Sequence, residues 1–162
     1  MSAQKITTFL WFEDKAEEAA RFYVSVFGGD SRIVETTRYP EAVPHQGGTV
    51  MTVTFELAGQ RYTALNGGKQ DWSFSEAISL SVDCDDQEEV DDLWAKLTAG
   101  GEPGPCGWLK DKYGLSWQIV PRYLSERISA AEDRAAVNRM VDAMMKMGKL
   151  DVAALKAAYE GK

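Results

Sequence analysis

Two stretches decide the fold when one is laid over the other: residues 7–29, TTFLWFEDKAEEAARFYVSVFGG, and residues 77–101, AISLSVDCDDQEEVDDLWAKLTAGG. Each begins with a short, largely apolar run, passes an acidic turn, enters a helix-period pattern and stops at a glycine pair. Thr7–Phe12 reads as a strand and Ala16–Phe27 as a helix with Ala16, Ala19, Ala20, Tyr23 and Phe27 inward. In the second copy Ala77–Val82 is the strand, Asp83–Asp86 the turn, and Gln87–Leu97 the helix with Val90, Leu93, Trp94 and Leu97 inward. Phe12 matches Val82, Glu17-Glu18 match Glu88-Glu89, Phe22-Tyr23 match Leu93-Trp94 and Gly29 matches Gly100, all at an interval of about 70 residues. Only two copies fit in the chain, so the repeat implies a duplicated unit and not a solenoid.

Working outward, Arg32–Arg38 is extended and rich in β-branched residues, and the loop YPEAVPHQGG follows. Val50–Glu56 alternates Met51, Val53 and Phe55 with Thr52 and Thr54, and Gln60–Asn66 pairs with it across Ala58-Gly59 as a hairpin. Asn66-Gly67-Gly68 closes the first half. The second copy continues with strands Glu102–Cys106, Trp108–Lys110 and Ser116–Pro121, the last two joined by the turn Asp111-Lys112-Tyr113-Gly114. The fold class is α+β: paired βαβββ modules, about residues 5–68 and 75–122, forming a curved mixed sheet around a cavity within a domain of residues 1–122.

Residues 123–162 form a helical tail. Ser129 and Glu132 have capping-box spacing, Val137, Met140, Val141 and Met144 make an apolar stripe, Gly148 ends that helix, and Asp151 caps a last one over Val152–Tyr159. The stripe has to be buried on the parent sheet or on a second subunit, and a homodimer packed through these helices is the expectation.

The length of 162 residues suits one domain, and 44% hydrophobic with 27% charged residues is globular composition. No apolar run approaches the roughly 20 residues of a membrane helix, so a membrane partner is not expected. Eighteen Lys plus Arg against 25 Asp plus Glu give a net charge of −7, a field that repels phosphate backbones and speaks against nucleic acid. Cys84 and Cys106 are too few for a disulfide framework and lack metal-type spacing, and the start lacks a secretory pattern. The expected location is cytoplasmic.

The phrases FLWFEDKAEEAARFYVSVFGG, ALNGG and CGWLKDKYGLSWQ, with MVDAMMKMGKLDVAALKAAY in the tail, resemble the vicinal oxygen chelate superfamily of glyoxalases, bleomycin-resistance proteins and dioxygenases. The closer resemblance is to its PhnB-like branch, over about residues 5–122, whose members often carry the label 3-demethylubiquinone-9 3-methyltransferase. The resemblance implies a divalent metal on the concave sheet face that chelates vicinal substrate oxygens and stabilises an enolate-like state. Carried over residue by residue, its ligand positions fall on Thr7 or Thr8, on Tyr62 or Ala64, on Ala77 and on Gln118. None is a histidine or a carboxylate, so the expectation is no metal at that site and no cofactor.

Strand parity sends Leu10, Phe12, Ile78, Leu80 and Val82 to the helix-covered core and Thr7, Phe9, Trp11, Ala77, Ser79 and Ser81 to the other face. Parity together with the positions the resemblance implies gives the candidate ligand-binding residues Thr7, Phe9, Trp11, Asn66, Ser79 and Gln118, with Cys106 and Trp108 from the second-half hairpin. An apolar lining with a few hydrogen-bonding groups suits a planar or aromatic small molecule. Blander roles stand beside each: Trp11 and Trp108 can plug the cavity, Asn66 and Gln118 can serve local hydrogen bonds, Trp94 and Trp117 read as core, and His45 as a loop residue. The leading function is a small-molecule-binding or sequestering module. The alternative is an enzyme, either a metal-independent lyase or isomerase or the labelled methyltransferase. Against the methyltransferase, the glycine pairs 28-29, 47-48, 67-68 and 100-101 fall after helices or in loops, never between a strand and a helix as an S-adenosylmethionine fold needs.

Overall fold

The computed structural model describes residues 4–130 and 132–162, and the chain divides into two units, Met1–Trp72 and Ser73–Lys162. The first unit contains β1 (Thr8–Phe12), α1 (Ala16–Phe27), β2 (Arg32–Arg38), β3 (Val50–Leu57) and β4 (Gln60–Asn66). Its sheet runs β1-β4-β3-β2, with β1 parallel to β4 and the other pairs antiparallel. The alanines of α1 let the helix approach the sheet closely, and Ala16, Ala19, Ala20, Tyr23 and Val26 are buried there. They meet Leu10, Phe12, Val53, Phe55, Leu57 and Ala64, none more than 5% exposed. Phe55 stacks on Tyr23 at 6.0 Å and on Tyr62 at 5.7 Å. Val26, and not the expected Phe27, completes the buried face, because a 3.6-residue period counted from Tyr23 falls between the two.

The second unit repeats the plan with β5 (Ser79–Cys84), α2 (Gln87–Thr98), β6 (Glu102–Pro103), β7 (Trp108–Lys110) and β8 (Ser116–Pro121), followed by α3 (Arg122–Ala130), α4 (Arg134–Met144) and α5 (Val152–Glu160). Its sheet order, β5-β8-β7-β6 with β5 parallel to β8, is the counterpart of the first. The eight strands thus form two four-stranded sheets, one per half. Asp86 caps α2 by accepting from the Glu89 N–H at 2.9 Å. Val90, Leu93 and Leu97 then pack with Leu109, Leu115, Trp117 and Ile119 in the core. Under the β7–β8 turn the buried Asp111 carboxylate accepts from the Tyr113 and Leu115 N–H groups at 2.8 and 3.1 Å and from Trp117 Nε1 at 2.9 Å.

Several expectations change. The strand placed at Ala77 starts at Ser79, because β8 begins opposite it at Ser116 and residues before that have no partner strand. Ile78, expected in the core, is 67% exposed in the preceding bend. The strand expected over Glu102–Cys106 shrinks to two residues: Pro103 and Pro105 cannot donate to a ladder, and Cys106 takes a left-handed φ of 56° that turns the chain away. Trp94 is half-buried, whereas Trp117 is core. Ser129 lies inside α3, so the cap of α4 is Asp133, which accepts from the Ala136 N–H at 3.0 Å.

Part of the tail stripe, Met140 and Met144, finds cover within its own unit. Leu124, Met140, Leu150 and Leu155 form a buried cluster against Val120, Tyr123 and Met147. The Cys106 and Gly107 N–H groups donate to the Met147 and Gly148 carbonyls at 2.8 Å each. The Gln87 carboxamide joins Leu150 O at 3.1 Å and the Val152 N–H at 2.7 Å. Gly107 permits this closeness: φ is 82°, and a Cβ there would stand 2.8 Å from the Ile119 carbonyl. No helix among the described residues is long and apolar enough to cross a membrane. Replacing Asp111 by Ala removes an acceptor from three donors at once; the expected cost is about 3 kcal/mol, read as a lower urea midpoint at unchanged slope.

Candidate functional site

Each helix covers one sheet face and leaves the other open. In the first unit the pairing register lines up Thr37, Thr52, Leu65 and Trp11 across the open face, then Glu35, Thr54, Thr63 and Phe9, then Arg32, Glu56 and Arg61. Thr37 and Thr52 share a hydrogen bond of 2.5 Å and Thr54 and Thr63 one of 3.1 Å. Glu56 is clamped by Arg61 at 2.7 Å and Arg32 at 3.0 Å. The Arg61 hydrogen bond, above all, holds its carboxyl below the usual range.

The sequence-predicted residues of this unit divide by role. Phe9 is 59% exposed on the open face. Trp11 is half-buried, donates from Nε1 to the Gly68 carbonyl at 3.0 Å, and meets Trp72 edge-on at 5.2 Å. Thr7 precedes the ladder, which begins at Thr8. Asn66 is consumed by the fold: its Oδ1 accepts from the Ala16 N–H at 2.8 Å and its Nδ2 donates to the Val50 carbonyl at 3.1 Å. It supplies the acceptor that Lys15, at the N-cap of α1, does not offer. Tyr62 and Ala64 lie on the helix-covered face, opposite Phe55 and Val53 in register, so neither reaches the open face; Thr63 and Leu65 do. Burial beside Phe55 also pushes the Tyr62 phenol up.

In the second unit the open face carries Glu102, Lys110, Ser116 and Ser79 in one row and Trp108, Gln118 and Ser81 in the next. Gln118 Nε2 donates to Ser79 Oγ at 2.9 Å, joining two of the expected residues. A cavity of about 530 Å³ is walled here by Pro103, Pro105, Cys106 and Trp108, with Glu76, Lys110 and Ser116 supplying polar groups. Lys110 Nζ pairs with Glu76 Oε1 at 2.7 Å. That pairing holds the Glu76 carboxyl below its ordinary range and raises the Lys110 ammonium. Ser116 is 1% exposed, and its hydroxyl has no hydrogen-bond partner. Sequence reasoning missed Ser116, Lys110 and Glu76. Parity in β8 was the available signal for Ser116, which shares a face with Gln118.

The donors do not suit the metal of the superfamily. The open face of the first unit offers threonine hydroxyls, a lone carboxylate, Glu35, on the edge strand β2, and a glutamate, Glu56, already neutralised by two arginines. In the second, Ala77 has no donor and Gln118 is a neutral amide engaged with Ser79. No group of three His, Cys, Asp or Glu side chains converges among the described residues. A divalent ion needs carboxylate or imidazole donors that these positions lack. His45 lies in the loop between β2 and β3 with φ 65°.

Paired βαβββ halves, each with one sheet face free, define the vicinal oxygen chelate class of protein. Residues 4–120 match the family described as 3-demethylubiquinone-9 3-methyltransferase, and the chain belongs to that PhnB-like family. A PhnB protein from Bacillus cereus with the same description is 43% identical, over 73% of this chain and 99% of that one, at a TM-score of 0.65. The fosfomycin resistance protein FosX from Mesorhizobium loti matches at 16% identity and TM-score 0.55, over 80% of this chain and 99% of its own. FosX from Listeria monocytogenes, complexed with Mn(II) and sulfate, matches at 17% and 0.53, over 79% and 99%. At these identities the FosX likeness speaks to the fold alone. A comparison with the curated proteins found no match.

Two outcomes follow from the site geometry. A Cβ at position 67 would stand 2.1 Å from the Trp11 ring. Gly67→Ala should therefore expel Trp11 from its seat, shift the tryptophan emission to the red and cost roughly 1–3 kcal/mol. Burial, with help from Glu89 and Asp83, pushes the Cys84 thiol up to about 12, leaving on the order of one thiolate in ten thousand at pH 8. Iodoacetamide at that pH should label Cys106 of the folded chain and spare Cys84, as read by peptide mass.

Proposed function

We propose that this chain binds a small organic molecule on the open sheet face of its second half, in a site without the divalent metal of the superfamily. The observation that carries the reading is the cavity beside Trp108, walled by prolines and an aromatic ring with a few polar groups set into it. That combination is what a planar or aromatic guest requires. In the proposed site Cys106 and Trp108 are wall residues; Gln118 and Ser79, bonded to each other, lie on the same open face beside the cavity, while Phe9 and Trp11 belong to the open face of the first half and Thr7 precedes its ladder. Asn66 serves the fold. Among the described residues no set of carboxylate or imidazole donors converges, which favours binding or metal-independent chemistry over chelation.

The methyltransferase label draws no support from the local architecture. Chain passes from β1 to α1 through Glu13-Asp14-Lys15 and from β5 to α2 through Asp85-Asp86, acidic turns where a cofactor-binding fold places glycine. We further propose a homodimer in a reducing compartment. The exposed Ile6, Phe9 and Ile78 supply apolar surface and the two free thiols fit the location; sedimentation at twice 17.9 kDa is the expected result.

The test is a thermal-shift screen of planar metabolites, followed by native mass spectrometry. A guest at a hundred times its Kd adds about 2.7 kcal/mol and raises Tm by several degrees. Trp108→Ala should lose the shift. A panel with no stabilising compound, or a chain that retains one divalent ion after dialysis, would overturn the reading. Calorimetry with S-adenosylmethionine should give no heat, and micromolar binding would instead revive the methyltransferase.

A further inference from the structure

Ser116 buries a hydroxyl that nothing in its surroundings satisfies. Leaving such a group unpaired costs on the order of 1–3 kcal/mol, so an alanine there would serve the fold better. Its neighbours could have supplied a partner: Ser79 lies opposite it on β5, and Gln118 is two residues along β8. They bond to each other instead. The hydroxyl is thus left free while it lines a cavity.

Strand order and register indicate which groups lie near it. Strand β8 lies between β5 and β7, and Ser116 is level with Ser79 on one side and Lys110 on the other. Glu76 enters from the β5 side, three residues before Ser79, so its 2.7 Å ion pair with Lys110 spans β8 near Ser116. Both partners are solvated, with side chains 37% and 61% exposed, and such a pair contributes at most about 1 kcal/mol. Opening it is easy. Doing so frees the Lys110 ammonium, whose residue is the register neighbour of Ser116 with its unused hydroxyl.

We propose that this cavity is a receptor for an organic monoanion, a carboxylate on a planar apolar body, which displaces Glu76 from Lys110 and accepts a hydrogen bond from Ser116. This deepens the binding-site reading above and rests on it. One carboxylate oxygen takes the ammonium and the other the hydroxyl, while the body lies against Trp108 and the proline wall. Glu102, opposite Lys110 on β6, keeps a second negative charge beside the ammonium. A single negative charge on the guest is therefore preferred over two.

Titration calorimetry of the full chain with benzoate, benzamide and phenyl phosphate tests the proposal. Benzoate should bind at least about tenfold more tightly than benzamide, and phenyl phosphate more weakly than benzoate. Ser116→Ala should weaken benzoate by about tenfold while leaving the thermal midpoint of the free protein unchanged or higher. Glu76→Gln, which removes the competing carboxylate, should tighten benzoate by a few-fold, and Lys110→Met should erase the preference over benzamide. Equal binding of benzoate and benzamide would overturn the anion receptor and leave the small-molecule site standing. Failure of all three probes to bind even to Glu76→Gln would overturn both. A Ser116→Ala protein that melts lower and binds benzoate as before would make the hydroxyl structural and end the proposal.

Discussion

A single amphipathic helix can cover one face of a four-stranded sheet and no more. In each half of this chain the helix follows the first strand, and that strand pairs in parallel with the last. The side chains therefore sort strictly by parity. Leu10, Phe12, Val53, Phe55 and Ala64 go under α1, and Leu109, Trp117 and Ile119 go under α2. What faces away is left for chemistry. The two remaining faces differ in content: threonines, two glutamates and the aromatic rings of Phe9 and Trp11 on one, a lysine, serines, Gln118, Glu102 and Trp108 on the other.

Polar groups on and under these sheets show how closely the fold accounts for its donors and acceptors. Asp111 is buried and saturated by three donors. Asn66 reaches from the end of β4 to the first N–H of α1 and ties it to β3. Gln87 does the same for the tail, holding Leu150 and Val152 with the two ends of one amide. Against that background the unpaired hydroxyl of Ser116 is an exception, and its residue lines a cavity.

Much of the fold was legible because its signals are local. The helical period, the glycine pairs and the alternation in Val50–Leu57 each reflect a few neighbouring residues, and α1, β2, β4, β7 and β8 begin and end where those signals place them. The errors arose where a distant partner decides. Ile78 is apolar and in phase, but its fate depends on where β8 begins. Ser129 has the right spacing for a cap, yet α3 continues through it and Asp133 caps instead. Which residues share the open faces was legible in part: Phe9, Trp11 and Ser79 follow from parity, Gln118 was reached by likeness and Trp108 through its hairpin, while Tyr62 and Ala64, also placed by likeness, belong to the covered face. Ser116, Lys110 and Glu76 form a unit only once three strands and a bend are folded side by side, and no spacing in the chain announces that.

The bonds from Cys106 and Gly107 to Met147 and Gly148, in the segment between α4 and α5, bear on the symmetry of the duplication. Two copies of one motif would give two interchangeable half-sites. Here the helical extension grips the backbone of one copy at the very corner that carries its tryptophan, so the corner is a joint held from outside the repeat. The symmetry of the duplicated plan is thus broken by an appendage that fixes one corner of the second copy.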